Sequence, residues 1–134
     1  MIRRLPITTL LAAVQERVET TGKRCYDAVP LDAPAPFYYV EVVSIQPKNA
    51  KAMYVDSFNL YIHCIAKESP SSVGVNVLIQ ELQEALTEDI SLPEPFNLIR
   101  CIDNGVTVIK TDETGEKHAI CAISFEVAYG FICK

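Results

Sequence analysis

The 134-residue sequence has no tryptophan, only two histidines and only five glycines. With so few histidines, acid–base catalysis and metal binding have few candidate groups. The glycines are scattered, so no glycine-rich phosphate-binding loop is present, and the motifs of serine hydrolases and zinc proteases are missing as well. We therefore predict no catalytic residue, no cofactor and no metal site.

Long apolar runs and an excess of basic residues are also missing. No apolar run approaches the roughly 18–20 residues of a membrane-spanning helix, and Pro6 interrupts the segment after Arg3 and Arg4, so we expect no leader peptide. The chain has 12 basic and 17 acidic residues, a formal net charge of −5, whereas nucleic-acid binding needs clustered Lys and Arg. Neither a membrane nor a nucleic acid is a predicted partner.

Charge is unevenly distributed along the chain. Residues 1–24 carry five basic and two acidic side chains, whereas residues 68–99 carry six acidic side chains and no basic one. Two solvated faces would explain this pattern. The alternative is a contact between copies, with the positive end of one against the negative end of the next.

The cysteines indicate free thiols in a reducing compartment. Their number is odd, their spacings are wide and no CxxC pair occurs, which argues against both a disulfide framework and a zinc ribbon. The five are Cys25, Cys64, Cys101, Cys121 and Cys133.

Two amphipathic helices are predicted from apolar residues that recur three and four positions apart. The first runs from Thr8 to about Glu19, with Thr8 or Thr9 as its N-cap and Gly22 at its end. The second runs from about Val73 to Thr87.

Strands are predicted where β-branched and aromatic residues cluster or alternate with polar ones. An Asn104-Gly105 dipeptide favours a type I′ hairpin turn between two of them. The strands are Cys25–Val29, Phe37–Gln46, Tyr54–Ala66, Phe96–Asp103, Val106–Thr111 and Lys117–Cys133. The order α-(β)-β-β-α-β-β-β predicts one α+β domain over residues 1–134, a mixed, mainly antiparallel sheet with two helices packed on one face.

A short loop between the first two long strands is the predicted interface. It carries Lys48, Asn49 and Lys51 and projects positive charge from an ordered sheet, which suits contact with an acidic protein surface. A solvated hairpin tip is the alternative interpretation, and the sequence leaves both open.

Several segments occur in a characteristic order. After a short helix come "CYDAVP", "PFYYVEVVSIQP", a lysine-bearing loop, "YVDSFNLYIHCIA", "VNVLIQELQEAL" and "AICAISFEVAYGF". In this order the chain resembles the tail-completion proteins of long non-contractile-tailed phages, the tail-to-head joining or tail-terminator proteins, from a phage of a Bacillus-type host.

The resemblance implies a structural virion protein without enzymatic activity. Such proteins form a ring, usually of six copies, on the end of the tail tube, stop its growth and dock to the head completion (stopper) protein. The implied partners are other copies, the tail tube protein and the stopper protein. The implied location is the head–tail interface of the virion, with assembly in the host cytoplasm. A small cytosolic enzyme or ligand-binding α+β domain, with a pocket between the second helix and the sheet, is the alternative.

Overall fold

The computed structural model describes residues 2–30, 32–111 and 115–131. Besides a short 3-10 helix at Glu19–Thr21, its elements are α1 (Ile7–Val18), β1 (Cys25–Tyr26), β2 (Phe37–Pro47), β3 (Met53–Ala66), α2 (Val73–Ala85), β4 (Asn97–Thr111) and β5 (Lys117–Phe131). None of the helices in these ranges is long and apolar enough to cross a membrane.

Backbone conformation defines the start of α1 and the end of the 3-10 helix that follows it. The helix begins at Ile7 with Pro6 as its N-cap, and the Pro6 carbonyl accepts hydrogen bonds from the N–H groups of Thr9 and Leu10 at 3.1 and 3.2 Å. The predicted Thr8 or Thr9 cap is therefore wrong, because both threonines lie inside the helix and Pro6 has the extended backbone of an N-cap residue. Gly22 ends the following 3-10 turn in the left-handed conformation, at φ 89°, as the sequence predicted.

The strands form one five-stranded sheet in the order β1-β2-β3-β5-β4. Only the β1–β2 pair is parallel, and it joins two residues of each strand. The other three pairs are antiparallel. The predicted α+β class, with a mixed and mainly antiparallel sheet, is confirmed, although β1 is shorter than the expected Cys25–Val29.

The predicted hairpin at Asn104-Gly105 is wrong. These residues lie inside β4, which pairs with β5 along its whole length and shifts register between Asp103 and Val106. Gly105 has φ 91°, and its N–H donates to the Asp103 carboxylate at 2.8 Å. The left-handed backbone that an Asn-Gly pair adopts easily also suits a β-bulge. The described residues therefore contain five strands rather than six, because β5 is long enough to pair with both halves of β4.

The core lies between one face of the sheet and the two helices. Alternate residues of β3 and β5 point into it, as period-two alternation predicts. The helix residues that join them include Leu10, Val14, Leu78 and Leu82, which confirms that both helices pack on one face. Phe131, expected on the same face of β5, is 70% exposed, and Cys133 lies outside the described residues.

Removing bulk from the buried face of α2 should destabilise the fold. Leu82 is completely buried in the same cluster as Phe58, Leu60 and Ile62, so Leu82→Ala should lower the free energy of unfolding by roughly 2–5 kcal/mol. Val77→Ala, at an exposed position of the same helix, should change it by less than about 0.5 kcal/mol. Urea denaturation measures both, and equal losses would contradict this facing of α2.

Two glycines should respond to alanine in opposite directions. A Cβ at Gly105 meets no atom within 4 Å, but φ there is positive, so Gly105→Ala should cost about 1 kcal/mol of stability through backbone strain alone. Gly74 lies within α2, and its added Cβ would sit 3.7 Å from the Ala66 Cβ, an ordinary contact. Gly74→Ala should therefore raise stability by about 0.5–1 kcal/mol. Paired melting curves test the contrast, and a gain at both positions would argue against the bulge.

Candidate assembly interface

The face of the sheet opposite the helices, the polar face, carries Glu41, Asn59, His63 and Glu126 together with the apolar Ile120 and Ala122. It carries residues that alternate with the core positions on β2, β3 and β5, and neither helix packs on it. Two hydrogen-bonded clusters lie there, one around Glu126 and one around His63. Between them, Asn59 donates to the hydroxyl of Ser44 at 3.0 Å and accepts from Ser124 at 2.6 Å. Side chains of this face thus bind one another across neighbouring strands.

Glu126 is a buried carboxylate held by two cations. Lys48 Nζ donates to one carboxylate oxygen at 2.6 Å, and Arg100 Nε donates to the other at 2.8 Å. The Glu126 side chain is 6% exposed, whereas those of the two cations are more than half exposed. The hydrogen bond from Arg100, followed by that from Lys48, lowers the pKa of Glu126 below its usual range.

The three predicted interface residues have different surroundings. Lys48 belongs to the Glu126 cluster. The side-chain oxygen of Asn49 accepts the backbone N–H of Val55 at 2.9 Å, so Asn49 shapes the turn. Lys51 is exposed in the same loop. The structure therefore ties Lys48 and Asn49 to their own chain, and the interface role of all three stays a prediction.

A second cluster joins the two histidines of the chain. His63 Nδ1 lies 2.7 Å from His118 Nε2, and His63 Nε2 lies 3.0 Å from the Glu41 carboxylate. Tyr39 stacks on the His63 ring at a centroid distance of 5.0 Å, and Tyr61 meets it edge-on. The sequence indicated that His63 lies beside Tyr61. Its contact with His118 could be recognised only from the pairing of β3 with β5.

The contacts of His63 differ from those of a catalytic or metal-binding histidine. His63 contacts a second imidazole where a hydrolase triad would place a hydroxyl or thiol nucleophile. In the described ranges, no group of three or more His, Cys, Asp or Glu side chains is placed to hold a metal ion. The cluster orders the polar face of the sheet through hydrogen bonds and ring contacts.

Two ion pairs within the chain join side chains of the basic N-terminal region to side chains of the acidic region noted in the sequence. Lys23 Nζ lies 2.6 Å from the Glu81 carboxylate, and Arg17 lies 3.0 Å from that of Glu88. Both pairs connect the basic N-terminal region to the acidic region around α2. The charge asymmetry therefore supports the packing of the N-terminal region against α2.

A cavity of about 410 Å³ lies between α2 and the β4 side of the sheet, where the alternative hypothesis expects a pocket. Its volume falls within the roughly 300–1,000 Å³ of small-ligand sites. It is lined by Leu82, Gln83, Leu86, Thr87, Cys101, Asp103, Cys121 and Ile123. The apolar part of this lining continues the core toward β4, which no helix covers in the described part of the chain.

The four cysteines that the structure describes are free thiols, and Cys133 lies outside the described residues. Burial raises the pKa of Cys25 to about 12 and that of Cys101 to about 11. Since the thiolate is the reactive form, these two side chains act as small apolar residues rather than as nucleophiles.

Comparison with known proteins identifies the family. The family described as "Putative tail termination protein" matches residues 1–134, the whole chain. The chain belongs to this phage tail terminator family. It is therefore a structural tail protein of a phage-like virion, as the order of its sequence segments predicted.

A solved structure shows the same fold. The structure entitled "Virion of native gene transfer agent (GTA) particle" contains a chain that aligns with a TM-score of 0.74 at 16% sequence identity. The alignment covers 90% of this chain and 96% of that chain. No curated protein matches the chain in sequence.

The Glu126 cluster should stabilise the fold in a pH-dependent way. Because its pKa is lowered in the native state, the ionised carboxylate contributes stability above the pKa of unfolded Glu, about 4.3. That contribution disappears as the pH falls through the native pKa. Glu126→Gln should therefore cost about 1 kcal/mol at pH 7, and this cost should shrink as the pH falls through the native pKa of Glu126.

Urea denaturation of both proteins across this pH range measures the difference. Glu94→Gln, at an exposed position, is the matched control and should change stability little at any pH. A loss at Glu126 that is equally large at pH 2 and pH 7 would argue against the ion pairs.

Proposed function

We propose that the chain caps the end of a phage tail tube as a ring, usually of six copies, and joins the tail to the head completion (stopper) protein. The family match over the whole chain carries this proposal. Its place is then the head–tail interface of the virion, after assembly in the host cytoplasm. Its partners are other copies of itself, the tail tube protein and the stopper protein.

Features of the fold support a structural role without a cofactor. The free cysteines Cys25, Cys64 and Cys121 are buried, and the two histidines contact each other on the polar face. The two ends of the sheet are also different surfaces, because β1 borders one side and β4 the other. Two different surfaces suit head-to-tail contacts, which close into a ring when the rotation per copy allows it.

The loop of residues 48–52 is proposed as part of the contact with a neighbouring protein. Lys48 fixes the base of the loop through Glu126, and Asn49 fixes its turn. Lys51 is exposed on this fixed loop, so its ammonium group can reach an acidic surface. Such a rim charge governs the encounter rate and its salt dependence more than the fold.

The cavity between α2 and β4 is the feature that would suit the alternative, a small enzyme or ligand-binding domain. Family membership supports the structural role instead, since the whole chain matches a tail terminator family. On this interpretation the cavity results from incomplete packing beside β4, which is an edge strand of the sheet.

Charge reversal at Lys51 should impair head–tail joining without unfolding the protein. In a phage that lacks its own copy of this gene, Lys51→Glu supplied in trans should give intact heads and tails but several-fold fewer joined particles. The melting temperature should stay unchanged because Lys51 is exposed. The measurement is particle counting by electron microscopy, with immunogold labelling to locate the chain.

Lys67→Glu is the matched control, an exposed lysine just after β3, and it should join normally. Label along the whole tail, or absent from the head–tail junction, would contradict the proposed function. Normal joining by a folded Lys51→Glu variant would remove the loop from the interface.

A further inference from the structure

Both sides of the sheet present unpaired backbone. Among the described residues β4 pairs only with β5, so no described strand lies along the outer edge of Asn97–Thr111. On the other side, β1 covers only Tyr38 and Tyr39 of β2, so residues 40–47 lack an outer strand in the described part of the chain. Long free edges can pair with strands of other chains, and monomeric proteins usually cover or shorten such edges.

We propose that β4 of one copy pairs antiparallel with β2 of the next, so that the sheets of neighbouring copies join edge to edge. This inference rests on the ring of the proposed function and specifies its contact. The strands β2, β3, β5 and β4 alternate in direction across the sheet. A rotation about an axis along the strands therefore sets β2 of the next copy antiparallel to β4.

The two edges carry matching side chains on matching faces. On the helix side, Val42 and Ile45 of β2 lie opposite core residues of β3, and Val106 and Ile109 of β4 lie opposite core residues of β5. Val106 and Ile109 are 38% and 56% exposed.

On the polar side, β2 carries Glu41 and β4 carries Lys110. Each edge thus has an apolar row on one face and a charge on the other, and the two charges are of opposite sign.

A single register satisfies both faces. It places three pairs opposite one another: Lys110 with Glu41, Ile109 with Val42, and Val106 with Ile45. The Glu41 side chain is 45% exposed and Lys110 is exposed, so both are accessible to a second copy. A slip of one residue would place apolar side chains opposite polar ones on both faces.

Irregularities in the two strands support the same register. β2 has a register shift between Val42 and Ser44, and β4 has one between Val106 and Val108. The register that pairs Lys110 with Glu41 brings these two irregularities level, so the edges can bend together. Because β4 has one extra residue between Asp103 and Val106, this register also sets Asp103 opposite Pro47, beside the start of the Lys48–Lys51 loop of the next copy.

A charge swap tests the pairing. With the full chain, sedimentation velocity and native mass spectrometry over a range of concentrations should show self-association of the wild-type protein. Glu41→Lys and Lys110→Glu each bring like charges together and should weaken that association about tenfold. The double variant restores opposite charges and should recover most of the loss.

Two further variants separate contact from folding. Ile109→Lys alters an exposed apolar residue of β4 and should abolish association while the melting temperature stays within about 2 °C of wild type. Lys67→Glu carries the same charge reversal as Lys110→Glu outside both edges and should associate normally.

Two results would overturn the edge pairing: a wild-type chain that stays monomeric at every concentration, or an oligomer that none of the edge variants weakens. Failure of the double variant to recover association would also overturn the proposed register. These failures would leave the proposed function intact if the chain is still found at the head–tail junction, whereas its absence there would contradict the function itself.

Discussion

The pairing of β3 with β5 is the interaction on which the rest of the structure depends. The ladder runs from Met53 opposite Phe131 to Ala66 opposite Lys117, and these strands form the centre of the sheet. Because residues alternate between faces, one ladder sets the core face and the polar face together. A one-residue slip would turn Phe125 and Ile123 out of the core and Glu126 into it.

The helices complete only one side of this framework. The Tyr38 hydroxyl donates to the Leu78 carbonyl at 2.7 Å, which joins β2 to α2 inside the core. Lys23 and Glu81 connect the two helical regions at the surface. This packing covers the centre of one face of the sheet and leaves the polar face, β4 and the outer sides of the helices exposed.

The polar face shows how a structural protein can use charged side chains without chemistry. Glu126 is held by cations from β4 and from the loop after β2, so a single carboxylate ties together three separate segments. Its low native pKa results from those contacts rather than from any acid–base task. His63 is also held by partners on β2 and β5, which order its ring. Perturbed or clustered ionisable groups therefore mark strand connections here as well as they would mark an active site.

The sequence by itself determined the elements whose signals are local. Spacing of apolar residues located α1 and α2, alternation located β3 and β5, and their order determined the α+β class and indicated the tail terminator family. Tertiary structure decided the features that depend on a distant partner. A type I′ hairpin would need positive φ at both Asn104 and Gly105, whereas the bulge needs it at Gly105 alone, and the length of β5 selects the bulge. Lys48 resembles a free loop lysine until Glu126, 78 residues away along the chain, is brought beside it. The contact between His63 and His118 likewise exists only once β3 and β5 are in register, because local patterns specify which face a residue occupies but not which residue lies opposite.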